Sequence, residues 1–381
     1  MARQTMLFEA HKALGARLID FNGWDMPVFY TGITAEHLAV RSAAGIFDIS
    51  HMGQVMVGGE AALEFLNGLL TNDLRKLVPG QGQYTLMCNE AGGVVDDLYA
   101  YRTGPGQYLL VINASRVEQD MAWLRDHAAG FQNRVTLACL DRENGAVAVQ
   151  GPRVREFVDK VIQGPSISGT RVGQASSLKK NQIASFAFGQ GILMVACTGY
   201  TGEDGFEVMG PGDCVRAVWD HFLSAGAVHG LVPAGLGARD TLRTEMGYPL
   251  YGHELNETTT PIEAGLGFFV SLDKGQFVGR SVLEAQKASG TARTCVAFKM
   301  TGKAAPPRPH YPVWRDAQSV GEVVSGTQSP SLGAGIGMAY VATPHSRPGT
   351  ALEIEIRGVK HPAIVVKKPL YRPDAARVPG S

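Results

Sequence analysis

At 381 residues the chain is too long for one hydrophobic core, so two or three domains are expected. Its 45% hydrophobic and 18% charged residues are those of a folded globular protein and exclude long disorder. Zero net charge, 35 basic against 35 acidic residues, gives no global electrostatic case for nucleic acid or a membrane surface.

The N-terminus, Met1 to Glu9, has no apolar core of signal-peptide length, and no window reaches the roughly 18 apolar residues of a spanning helix. A soluble, cytoplasmic protein is expected, a monomer or weak dimer. Ser115 followed by Glu118 reads as a capping box, with Val117, Met121, Leu124 and Ala128 at helical spacing behind it. A second helix is predicted from Pro152, with Val154, Phe157, Val158 and Val161 on one stripe. A third is predicted from Asp213, burying Val215, Val218, Trp219 and Phe222.

Strand patterns separate these helices at 83–88, 94–101, 108–113, 146–150, 192–198 and 205–209. Beyond about residue 285 strands dominate, at 294–300, 321–324, 337–341 and 351–357. Leu352, Ile354 and Ile356 alternate there with Glu353, Glu355 and Arg357. The Pro-rich 304–312 reads as a loop. The expected fold class is α+β and multidomain, an N-terminal α+β portion followed by a smaller antiparallel β barrel or sandwich. From Ser281 onward there are 13 Lys/Arg against 6 Asp/Glu, a basic region able to steer an acidic partner.

Common site chemistries lack their signatures. The five cysteines are scattered, with no CxxC pair and no Cys/His cluster, so neither a disulfide framework nor a metal site is expected. The run 333–337 lacks the G-x-G-x-x-G spacing, and Walker A, HExxH and GxSxG sequences are missing.

What remains are dense clusters of glycine, aromatic and charged residues. They are Phe47–Gly53, Gln83–Asn89 leading into Gly92-Gly93-Val94-Val95-Asp96-Asp97-Leu98, Thr198–Glu207, and Gly235–Arg243 with Gly247–Gly252. In an extended strand Asp96 and Asp97 point to opposite faces, so only one meets a given ligand, and alternation leaves both open. Asp96 shares a face with Val94 and Leu98, which suggests the edge of an apolar pocket. A carboxylate there needs a proton donor or a developing positive charge. Glu207 alternates with Phe206 and Val208, and a carboxylate matches a paired N–H donor edge. Tyr84, Tyr200 and Tyr248 suit stacking on a flat heterocycle.

Read in order, these clusters resemble the aminomethyltransferase family, the T-protein of the glycine cleavage system. The resemblance extends through Phe21-Asn22-Gly23-Trp24 and His37, Val40 and Arg41. It continues through Pro261–Gly267 to Ser325–Gly333, nearly the whole chain. It implies a folate-binding portion at 1–280 made of two interleaved subdomains, roughly 1–52 with 142–245 and 53–141 with 246–280, then a β-barrel domain at 285–372. It makes the first aspartate of the pair, Asp96, the catalytic one. Glu207, Arg239 (rather than Arg243), Tyr84, Asn113, Tyr200, Tyr248 and Met52 are assigned to folate, with Arg372 placed to meet its glutamyl carboxylates. His51 is read as structural.

The implied reaction transfers the methylene of an aminomethyl group, carried on the lipoyl arm of an H-protein, to tetrahydrofolate as co-substrate. The folate N5 attacks, ammonia leaves, and Asp96 orients the folate near N10 and stabilises the cationic species. Two readings of the same fold compete. One is a folate-dependent demethylase acting, for example, on dimethylsulfoniopropionate. The other is a non-enzymatic folate-binding protein of iron–sulfur assembly. The latter family carries K-G-C-[FY]-x-G-Q-E, where this chain has Lys274-Gly275-Gln276-Phe277-Val278-Gly279-Arg280-Ser281.

Overall fold

The computed structural model describes residues 2–140 and 143–372. Two antiparallel-rich sheets face each other in the N-terminal part. One has seven strands, in the order Ser168–Gly169, Ile183–Phe188, Gly191–Ala196, Gly205–Pro211, Asn144–Gln150, Ala44–Asp48 and Leu231–Pro233. The other has five: Gln81–Cys88, Val94–Gly104, Gln107–Ile112, Gly53–Gly58 and Thr136–Cys139. A three-stranded sheet at the N-terminus joins Arg3–Gln4, Trp24–Phe29 and Arg17–Phe21.

Alternation along these strands divides their side chains between two layers. Between the sheets lie Phe47, Ile49, Ala146, Ala148, Ala196 and Met209 from one and Tyr101 and Leu109 from the other, sealed by Ala238 and Leu242 of the helix Leu236–Met246. The outer face of the seven-stranded sheet is covered by the helix Gly212–Gly226 through Val215, Val218, Trp219 and Phe222, each fully buried. Burial of side chains this size stabilises by about 1.5–3 kcal/mol each. The outer face of the five-stranded sheet is covered by the helices Ala62–Leu69 and Val117–Ala128.

Arg293–Met300, Ala334–Ala342, Gln318–Ser329, Pro312–Arg315, Ala351–Ile356 and Val359–Val366 close a six-stranded barrel. The sequence pattern left barrel and sandwich open, and closure decides it. A closed ring of paired strands has no unsatisfied edge.

Two expected elements differ. The helix at Val117 has Arg116 as its N-cap with no side-chain cap bond, so the Ser115–Glu118 capping box does not form. The segment from Pro152 is a 3-10 turn at Val154–Glu156 followed by the short helix Val158–Val161. Its four predicted apolar residues are nevertheless all buried, because the stripe packs the same core in either helical form. Among the described residues no helix is long and apolar enough to cross a membrane.

Candidate active site

The strand Val94–Gly104 lies second in the five-stranded sheet, and a bulge sets what its aspartates face. Met87 pairs with Asp96 and Cys88 with Val94, which leaves Val95 as the extra residue. The alternation expected from sequence therefore breaks. Val94 packs with Leu86, Cys88 and Leu255, whereas Val95 and Leu98 pack under the helix Val117–Ala128. The turn before the bulge admits only glycine at position 93, where a Cβ would lie 1.8 Å from the Glu257 carbonyl oxygen.

Asp96 points to the helix side with Leu98. It is completely buried. Its carboxylate accepts the Asn113 main-chain N–H at 3.0 Å and Asn113 Nδ2 at 2.9 Å. Asp97, half-buried, points the other way, into the space between the sheets. The Tyr84 hydroxyl donates to it at 2.8 Å, and Asn113 Nδ2 approaches its Oδ1 at 3.0 Å. Burial, then the charge of Asp96, pushes the Asp97 carboxyl up to about 7. Burial likewise raises Asp96. Asp96 was expected at the pocket edge; it lies on the helix side, and the carboxylate turned toward the opposite sheet is Asp97.

Period-two alternation carries that face onward to Tyr99 and Tyr101. Tyr84 is the cross-strand partner of Tyr99. The Tyr101 hydroxyl meets Thr198 Oγ1 at 2.8 Å, and Thr198 donates to Glu207 Oε2 at 2.6 Å. Glu207 lies opposite Ala148 and Ala196, on the inner face of the seven-stranded sheet. Its Oε1 has no donor among the described residues. The two carboxylates thus approach the same interior from opposite sheets.

Arg239 comes from the helix Leu236–Met246. Its guanidinium lies 4.6 Å from the Tyr200 ring centre, and burial lowers its proton affinity. Among the described residues it forms no ion pair. Arg243, one turn on, bonds Asp240, Glu254 and Ser325 and ties this helix to the barrel. Such commitments suit a structural arginine; Arg239 has donors to offer a ligand. Tyr200 stacks on Tyr248, ring centres 5.9 Å apart at 26°, and its hydroxyl donates to the Pro249 carbonyl. Phe269 closes the other end, edge-on to Tyr84 at 4.8 Å. Met52 is half-buried against the apolar layer between the sheets.

His51 is buried beside Phe21, with Nδ1 unbonded, and burial followed by Arg239 lowers its affinity for a proton to about 4. It stays neutral near pH 7 and is a poor general base. Arg372 is exposed at the end of the described chain, next to Tyr371, whose ring lies 4.2 Å from the Arg41 guanidinium. No contact joins Arg372 to the other candidates among the described residues.

Tyr99, Thr198 and Phe269 were absent from the sequence-derived set. The first was legible, two residues beyond Asp97 on one strand face. Thr198 opens the Thr198–Glu207 cluster already singled out, and Phe269 is brought in from a distant segment. Among the described residues no group of three or more His, Cys, Asp or Glu is arranged to hold a metal.

Residues 7–274 match the family model described as the GCVT N-terminal domain, and 293–372 that of the glycine cleavage T-protein C-terminal barrel domain. A protein named aminomethyltransferase from Bacillus subtilis is 44% identical over 374 residues, covering 98% of this chain and 100% of its own. One of the same name from Chlorobaculum parvum is 44% identical over 373 residues, covering 98% and 99%. A crystal structure of glycine cleavage system aminomethyltransferase T from Bartonella henselae superposes with a TM-score of 0.88 at 32% identity. It covers 98% of this chain and 99% of that one.

Proposed function

Since the chain belongs to the glycine cleavage T-protein family of aminomethyltransferases, we propose that it moves the methylene of an aminomethyl group, carried on a lipoylated H-protein, to tetrahydrofolate, with release of ammonia and with the reduced dihydrolipoyl thiol left on its carrier. The observation that carries this reading is one interior space holding two carboxylates from facing sheets, an uncommitted arginine and stacked tyrosines. The residues fit a reduced pterin. Glu207 Oε1 is left to accept from a paired N–H edge, and Arg239 offers donors to a carbonyl or carboxylate. Tyr84, Tyr99, Tyr200 and Tyr248 supply flat walls, with Met52 as apolar floor.

When bound, tetrahydrofolate supplies the amine nitrogens that take up the one-carbon unit. Asp97 touches the reacting region and stabilises positive charge as it develops; Tyr84 and Asn113 hold its oxygens in place. Asp96, to which the resemblance assigns catalysis, acts from behind by fixing Asn113. Arg372 meets the glutamyl end of the folate in this reading. The interleaved subdomain boundaries given above are likewise proposed, as is a docking role for the basic C-terminal region.

The test mixes aminomethyl-loaded, lipoylated H-protein with the enzyme and follows ammonia. Release that requires tetrahydrofolate is expected, with Glu207→Gln weakening folate binding about tenfold, the order of one charge-assisted hydrogen bond. No release, or release at the same rate without folate, overturns the reading.

A further inference from the structure

Beneath Asp97 lies a buried polar group that the pocket lining does not use. Asp120 sits on the helix Val117–Ala128, completely buried, and neither of its oxygens receives a hydrogen bond from any donor among the described residues. The charged group that acts on it most strongly is the Asp96 carboxyl, on the strand the helix covers. Arg116, one turn earlier, brings Nε no closer than 3.9 Å to Oδ1. The Arg116 guanidinium is instead engaged by Glu257 at 2.6 Å and by the Tyr251 ring at 4.9 Å.

Two carboxyls in contact away from water share a proton, because two adjacent buried negative charges are mutually excluded. The surroundings decide where it rests. Asp96 already accepts two N–H groups from Asn113, which stabilise its anion; Asp120 accepts none. The proton therefore sits on Asp120, which donates to Asp96. Asn113 carries the linkage on. Its Nδ2 faces Asp96 Oδ1 at 2.9 Å, and both Asp97 Oδ1 and the Asp97 carbonyl at 3.0 Å. Three acceptors around one terminal atom require that atom to be the amide nitrogen.

We infer that Asp120 is a positioning residue for the pocket carboxylate: as a neutral acid it donates to Asp96, which holds Asn113, which holds Asp97. Its place was marked in the sequence by position alone, a carboxylate inside the buried stripe Val117, Met121, Leu124. The electrostatics agree. Burial, then the charge of Asp96, pushes Asp120 up to about 11. The single negative charge kept on Asp96 in turn helps raise Asp97 to about 7. The other titratable groups facing the three carboxyls are Arg116, Tyr251 and Glu257 on one side and Tyr84 and Tyr200 on the other. The inference rests on Asp97 as the carboxylate that meets the one-carbon chemistry, but the location of the proton does not.

Two variants separate a donor from mere packing. Asp120→Asn keeps a hydrogen-bond donor to Asp96 and so keeps its charge. Asp120→Ala removes the donor, so Asp96 takes up the proton itself and Asp97 loses the neighbouring charge. Infrared difference spectra on aspartate-labelled protein without substrate are expected to show a protonated carboxyl band near pH 8 in the wild type, lost in Asp120→Asn. The acid limb of the kcat profile is expected to stay in place for Asp120→Asn. For Asp120→Ala it moves down by about one pH unit, a tenfold change in proton affinity, with folate affinity held within about twofold. Circular dichroism establishes that each variant folds. A band that persists in Asp120→Asn overturns the inference, whatever the activity. Equal losses of kcat in the two variants, with no shift of the acid limb, overturn it as well. If Asp120→Ala does not fold, the infrared result with Asp120→Asn decides alone.

Discussion

Replacing Glu245 with glutamine removes one charge from the contact between the helix Leu236–Met246 and the barrel. The Glu245 side chain is completely buried. Its carboxylate accepts Arg41 Nε at 3.1 Å and Nη2 at 2.8 Å, the Ser331 N–H at 3.2 Å and the Ser329 and Ser331 hydroxyls. His37 Nε2 lies 3.2 Å away. Against the cost of burial, these partners lower its affinity for a proton from the ordinary 4.5 to about 2, with His37 the largest favourable influence.

A folded-state carboxylate depressed that far contributes about 3 kcal/mol. The sign follows from proton counting. The unfolded chain binds the proton first as pH falls, so the contribution is complete above about 4.5 and is lost progressively toward about 2. Glutamine keeps the shape but turns N–H donors toward the donors of Arg41 and Ser331, leaving Arg41 with Glu203 as its carboxylate partner among the described residues. A loss of about 3–5 kcal/mol is expected at pH 7. The assay is urea unfolding of both proteins from pH 7 down to 3, read separately by far-ultraviolet circular dichroism and aromatic fluorescence. The gap between them should narrow as pH falls below 4.5. A gap under about 1 kcal/mol at pH 7, or one that does not change with pH, would refute the reasoning.

Tyr84→Phe removes a hydrogen bond that favours the ionised form of Asp97. The acid limb of the kcat profile should therefore move upward, by about one unit at most; a downward shift would contradict the assignment of Asp97 to the pocket face. Lys274 is buried, its Nζ donating to the Asn67 and Leu70 carbonyls at the end of the helix Ala62–Leu69, and burial lowers its affinity for a proton to about 7. The unfolded chain keeps that proton up to about 10.5, so the wild type should gain on Lys274→Met between pH 7 and 10, with a limiting slope of about 1.4 kcal/mol per unit. Parallel stability curves over that range would show that Lys274 remains charged in the folded state.

Much of this protein was legible along the chain because strand and helix periodicity act locally. Leu352, Ile354 and Ile356 announced an alternating strand of the barrel, and Val215, Val218, Trp219 and Phe222 a helix face, each by spacing alone. The ordered glycine-rich clusters likewise sufficed to suggest the family. Tertiary structure decided what spacing left open. Asp96 and Asp97 were bound to face opposite ways, but which one turned toward the helix and which toward the opposite sheet depended on a bulge at Val95, and thus on the partner strand Gln81–Cys88. Arg239 and Arg243 lie one helical turn apart, and only the barrel's Ser325 and the distant Glu254 committed the second, while the first has no ion pair among the described residues. Asp120 became chemically significant for the same reason: its meaning depends on a carboxyl 24 positions earlier in the chain, brought against it by sheet and helix packing. Local chemistry sets what each residue can do; the packing of distant segments determines which charge has a partner, and where that charge points.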